Sequence, residues 1–122
     1  MRKFAIYLLF QFKTTENNTI NKRRVCEERI YHIECETPDI AYEKAKELGL
    51  QEEFSYIEDK VKVNFEFIGI IDLVELSILE DDNLVWSRFV EKVNPMERKE
   101  KIIPQKENLT IFKKAKRKIK LH

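Results

Sequence analysis

The run from Lys60 to Leu79 restricts what this chain can fold into more than any other stretch. Val61, Val63, Phe65, Phe67, Ile71 and Leu73 share one parity with Gly69, while Glu66, Ile68, Ile70, Asp72, Val74 and Leu76 share the other. β-Branched and aromatic residues alternating with period two fit a pleated strand and fit a helix poorly. Gly69 has no side chain to pack, which points to a bulge or a close crossing at that position. Glu80-Asp81-Asp82-Asn83 comes next as a turn cluster. Leu84 to Val93 then reads as a returning strand that Asn94-Pro95 ends.

Two more strand signals precede this run. In Phe4–Lys13, Phe4, Ile6, Leu8, Phe10 and Phe12 lie on one parity and Ala5, Tyr7 and Leu9 on the other, as expected of a central strand covered on both sides. Thr14 to Lys22 is polar and rich in turn formers, the composition of a hairpin loop. Arg23 to Glu36 puts Val25, Tyr31, Ile33 and Cys35 on one face with Glu27 and Arg29, and Ile30 on the other with Glu28, His32 and Glu34. That mixed pattern suggests a strand nearer the edge, or one with a bulge.

Between the strand pairs, Thr37-Pro38-Asp39 opens a helix. Thr37 suits the N-cap, Pro38 the first helical position where no amide donor is needed, and Asp39 the positive end of the dipole. Ile40, Ala41, Ala45 and Leu48 recur at helical spacing, and Gly49 is expected to stop the helix. Leu50 to Tyr56 reads as a further short turn. The expected fold is α+β: a four-stranded antiparallel sheet of two hairpins (ββαββ), with one helix packed on it. At 122 residues, with 43% hydrophobic and 37% charged residues, the chain fits one such domain with a core under a well-solvated surface.

Charge divides the chain in two. Residues 1–95 hold 13 basic and 19 acidic residues, a net of −6, and residues 96–122 hold ten basic and three acidic, a net of +7. The expected organisation is therefore an acidic domain over 1–95 and a basic, helical C-terminal extension over 96–122. Within the extension, Leu109, Phe112, Ala115 and Ile119 form an apolar stripe. Around it Lys113, Lys114, Lys116, Arg117, Lys118 and Lys120 form a candidate basic patch.

No constellation for catalysis emerges. Glu27 and Glu28 are adjacent, so a strand sends them to opposite faces. Glu66 and Asp72 are six residues apart, about 20 Å along a strand. Arg88 is a partner for an acid on the long third strand, and cross-strand ion pairs on a solvated face are the preferred reading. His32 has no residue nearby in sequence to orient it as a base. Cys26 and Cys35 are nine residues apart, about 30 Å along one strand and on opposite faces. A disulfide needs Cα atoms within about 7 Å, so the pair cannot bridge. Cys26, His32 and Cys35 fail as a metal set for the same reason, and Gly49 and Gly69 are too few for a phosphate loop. No catalytic, metal or cofactor site is expected. The apolar run Phe4–Phe10 lacks a following cleavage site and no stretch reaches the length of a membrane span, so the expectation is a cytoplasmic protein.

The segments Cys26-Glu27-Glu28-Arg29-Ile30, Thr37 to Ala45, Phe65 to Leu76 (Phe-Glu-Phe-Ile-Gly-Ile-Ile-Asp-Leu-Val-Glu-Leu) and Val85-Trp86-Ser87-Arg88 occur in that order. Over residues 3 to 92 the chain resembles a family of short bacterial proteins catalogued as domain of unknown function number 4288. The resemblance implies a compact bacterial domain and carries no catalytic residues. At its matching positions Glu28, Glu66, Asp72, Glu75 and Arg88 are polar on otherwise apolar strands, and are candidates for ion pairs or a binding surface. The expected function is non-catalytic protein binding, as by an immunity-like or accessory protein whose acidic body meets a basic partner. The alternative is a nucleic-acid-binding accessory protein acting through the basic patch.

Overall fold

A computed structural model describes residues 1–76 and 86–113. The element order is β1 (Arg2–Glu16), β2 (Thr19–Ile20), β3 (Arg23–Cys35), α1 (Pro38–Gln51), β4 (Phe54–Glu58), β5 (Val61–Glu75), β6 (Trp86–Val93) and α2 (Lys99–Ile102). The chain is α+β, and its sheet has six strands rather than the expected four. Five lie in the order β4-β5-β1-β3-β6, every neighbour antiparallel, and β2 pairs with the end of β1.

The extra strands come from two tight turns. Asn17 and Asn18 take φ of 50° and 62°, and Asp59 and Lys60 take 51° and 67°. Two consecutive left-handed residues match the twist of a two-residue hairpin, so each turn adds a strand on its far side. The stretch Leu50–Tyr56, expected as a turn, instead spans the end of α1, a two-residue link and the start of strand β4, which the Asp59-Lys60 turn folds back onto β5. Of the two expected hairpins the first forms, β1 pairing antiparallel with β3, and the second does not. β1 and β4 occupy both sides of β5, so β6 pairs with β3 instead. β3 is consequently an interior strand without a bulge, and its polar residues find partners across the strand.

The long alternation in β5 is broken twice. Phe10 faces Phe67 but Leu9 faces Gly69, and Leu8 faces Ile70 but Tyr7 faces Asp72. Ile68 and Ile71 are thus the extra residues of two β-bulges, each of which shifts the face of the residues after it. Phe65, Phe67, Ile70 and Leu73 pack on the α1 side, while Ile68 and Ile71 pack on the other. The sequence pattern puts Ile70 and Ile71 the other way round. Gly69 is the close crossing its missing side chain suggests: a Cβ there would lie 2.9 Å from Ile103.

Thr37 caps α1, its hydroxyl accepting the Ile40 N–H at 3.2 Å. Gly49 does not stop the helix, which runs on to Gln51. Its role is steric, because a Cβ at Gly49 would lie 2.5 Å from the Phe67 ring. Ala41, Ala45 and Gly49 let α1 sit close on a core of Phe4, Ile6, Leu8, Phe10, Phe65 and Leu73. The other face is closed by the segment after β6. Met96, Ile102 and Ile103 cover Leu9, Cys26 and Ile68. The chain then rounds the edge of β5 that the short β4 leaves open and returns to the α1 side. There Leu109 is buried, and Thr110 donates through its N–H and hydroxyl to the Asp72 carboxylate at 2.8 and 2.6 Å.

Candidate functional site

The five polar strand residues are held in separate contacts rather than one site. Arg88 lies directly across from Glu28 and donates to its carboxylate. Its partner is therefore on β3, not on the long strand β5. Glu75 receives both Nε and Nη2 of Arg2 at 2.8 and 2.7 Å. Glu66 accepts from the Gln11 amide at 2.7 Å and lies 3.4 Å from the Lys13 ammonium. Asp72 holds the start of the helical turn at 110–113. Of the basic patch, Lys113 is exposed, whereas Lys114, Lys116, Arg117, Lys118 and Lys120 lie outside the described residues.

Cys26 and Cys35 are both free and buried, Cys26 in the core of one face and Cys35 in that of the other. Burial pushes the Cys26 thiol up, which keeps it protonated and poorly nucleophilic. Among the described residues no group of three or more histidines, cysteines and carboxylates is placed to hold a metal ion, and no helix is long and apolar enough to cross a membrane. A cleft of about 740 Å³ opens between α1 and the 99–105 segment, over the bulged part of β5. Tyr42, Lys46, Phe67 and Ile103 line it, and Glu28, Glu66 and Arg88 do not.

One polar cluster escapes sequence reasoning. Arg24 is 1% exposed, and all three of its guanidinium nitrogens donate. It donates to Glu97 at 2.6 and 2.7 Å, to the Asn21 carbonyl at 2.7 Å and to Gln11 at 3.1 Å. Arg24 shares the parity of Cys26 on β3, so it points at the face that residues 95–103 cover. Glu97 comes from the turn before α2, a spacing of 73 residues that no local pattern encodes. The hydrogen bonds from Arg24 hold the Glu97 carboxyl below its ordinary range. The cluster fastens the C-terminal segment to the sheet, with Arg24 buried and Glu97 reaching it from the surface.

The surface that does lie open is on the α1 side, beyond the end of the helix. Phe10 and Phe65 stack at 4.8 Å, with the Arg29 guanidinium 4.9 Å above each ring. Phe54 continues the aromatic row, 5.0 Å from Phe65 and 6.0 Å from Tyr56. On the far side of the same face Phe89 stands opposite Glu27, and Val25 opposite Glu91. Phe89 is 63% exposed and Phe54 50%, with Val25, Tyr56 and Val93 also exposed. Side chains of this size and number in water are unusual unless something covers them.

The family model described as Domain of unknown function (DUF4288) matches residues 4–87. The chain belongs to that family. No curated protein and no solved structure matches it. The family's segment runs from β1 into β6 and includes α1, β4 and both bulges of β5. It therefore contains Val25, Phe54 and Tyr56 of the open surface, while Phe89, Val93 and the segment that carries Glu97 fall after it.

Proposed function

We propose that this chain is a non-catalytic protein-binding domain of the bacterial cytoplasm, which receives a basic partner as an immunity or accessory protein does. The observation that supports the reading is the bare half of the sheet, with Phe54, Tyr56, Val25, Phe89 and Val93 exposed on one face. The surrounding charge favours a cationic partner. Glu27, Glu52, Glu58 and Glu91 border these side chains against Arg23 and Arg29, four carboxylates to two guanidiniums. An apolar centre with a charged rim is the usual anatomy of a protein interface, where opposite charge on the partner speeds association.

The test is affinity capture from the native host with the full chain and with Tyr56→Glu and Phe89→Glu. The expected result is a stoichiometric protein of high isoelectric point, bound more weakly as salt rises and lost in both variants. Capture of nothing stoichiometric, or equal capture by both variants, overturns the reading. The nucleic-acid alternative is tested by filter binding of a chain ending at Lys113. A chain ending at Pro95 would lack Leu109, which is part of the core, and would lose binding through misfolding alone.

A further inference from the structure

We infer that the partner enters as an added β-strand along the free edge of β4. The inference rests on the protein-binding reading and specifies its geometry. The sheet's edges are treated very differently. Where β5 runs beyond β4, two of its amides are taken by carboxylates of the same chain: Phe67 N–H donates to Glu53 at 2.9 Å and Leu73 N–H to Asp72 at 2.8 Å. The β6 edge carries Arg88, Glu91 and Lys92, the charged side chains by which edges resist pairing. β4 is less protected, with Glu58 as its single charged side chain. All five of its residues are exposed, with Ile57 at 75%, and it contains no proline, lysine or bulge. Among the described residues it has no second neighbour.

The backbone directions come from the same hydrogen bonds. Phe67 N–H points away from β1, so Phe65, Val63 and Val61, at two-residue steps without a bulge, point the same way. The pairs Phe54–Phe65, Tyr56–Val63 and Glu58–Val61 therefore exchange the hydrogen bonds of the β4–β5 ladder. Ser55 and Ile57 turn their N–H and C=O groups outward, a template for one more strand. Charge selects the occupant. Residues 52–59 contain Glu52, Glu53, Glu58 and Asp59 and no cation. The segment that fits is extended and basic, apolar on the face it shares with Phe54 and Tyr56 and cationic on the face it shares with Glu53 and Asp59.

Fluorescence anisotropy with the full chain tests this, using a labelled decapeptide of alternating lysine and valine and a glutamate-valine counterpart. Ser55→Pro removes an outward donor that the β4–β5 ladder does not use, and Ser55→Ala is its control. The lysine peptide should bind the wild type and Ser55→Ala alike, and Ser55→Pro about tenfold more weakly, as should the glutamate peptide to the wild type. Should Ser55→Pro fail to fold, amide exchange of the wild type replaces it: peptide must slow exchange at Ser55 and Ile57 and leave Phe54 and Tyr56 unchanged. Absent binding of the lysine peptide, equal binding of both peptides or of Ser55→Pro, or unchanged exchange at Ser55 and Ile57 overturns the inference. Concentration-dependent dimers abolished by Ser55→Pro overturn it in favour of a second copy. If Tyr56→Glu loses the native partner while Ser55→Pro keeps it, strand addition fails and the protein-binding reading stands.

Discussion

The two faces of the sheet are closed by different physics. On the α1 side a continuous apolar core joins Phe4, Ile6, Leu8, Phe10, Phe65 and Leu73 to Ala41, Ala45 and Leu109. On the other side, among the described residues, a smaller buried cluster of Leu9, Cys26 and Ile68 lies under Met96, Ile102 and Ile103, and the Arg24–Glu97–Gln11 network adds a polar fastening. Apolar burial stabilises in proportion to area and is indifferent to pH. A buried guanidinium contributes only while its carboxylate partner is ionised and in place, since the loss of either leaves a desolvated group behind. One face should therefore be robust to solution conditions, and the other should act as a fastening that acid loosens.

The largest expected effect is Phe10→Ala, which removes a buried ring stacked on Phe65 and lying under the Arg29 guanidinium. It should cost about 3–5 kcal/mol in urea unfolding, with little dependence on pH. A loss under about 1 kcal/mol would break the comparison. Arg24→Met comes next, at about 1–3 kcal/mol, because it strands the buried Gln11 oxygen. The double variant Arg24→Met with Gln11→Leu should recover a good part of that loss, since replacing a buried polar network by apolar side chains is often neutral. No recovery would mean that packing, not desolvation, sets the cost.

Gly49→Ala sharpens the packing side. Helix propensity favours alanine by about 1 kcal/mol, but the new Cβ would sit 2.5 Å from the Phe67 ring, on a helix that cannot back away from its core. Overpacking of this kind costs about 1–3 kcal/mol, so the variant should be destabilised by a net of about 1 kcal/mol in thermal unfolding. A stabilised variant would show that the ring swings aside.

For pH, the carboxyl of Glu97 is lowered in the folded chain from its ordinary 4.5, chiefly by the Arg24 hydrogen bonds. Its contribution is then fully present above pH 4.5 and is lost as pH falls through the lower folded value. Glu97 is 54% exposed, so solvent screens the effect and it should be modest. Unfolding free energies at pH 7 and pH 3 should fall less in Glu97→Gln than in the wild type; parallel falls would place the acid sensitivity elsewhere. Smallest is Arg88→Ala, which breaks an exposed pair with Glu28 and should cost about 0.5 kcal/mol or less, shrinking further in high salt.

Local patterns in the chain are enough for its class. The parity of Phe4 to Phe12 marks a central strand, Thr37-Pro38 starts a helix whose hydroxyl cap is made, Asn94 comes at the end of β6, and the odd spacing of Cys26 and Cys35 sends them to opposite faces. These are decided by neighbours in sequence, where periodicity and capping act. The candidate surface is less legible. Tyr56 and Phe54 lie in a stretch whose local pattern suggests a turn, and Phe89 looks like any other alternating strand residue. Their exposure depends on how far α1 reaches over the sheet, which no spacing states.

What the amino-acid order settled alone was an α+β chain of antiparallel strands with one long capped helix and an acidic body. Tertiary structure alone decided the six-strand count and order, the two bulges that reverse Ile70 and Ile71, the burial of Arg24 against Glu97, and the bare edge at β4. The reason is range. Alternation and caps are set within a few residues. Strand order, register and buried ion pairs depend on which distant edges are already taken, as when β1 and β4 flank β5 and leave β6 only β3.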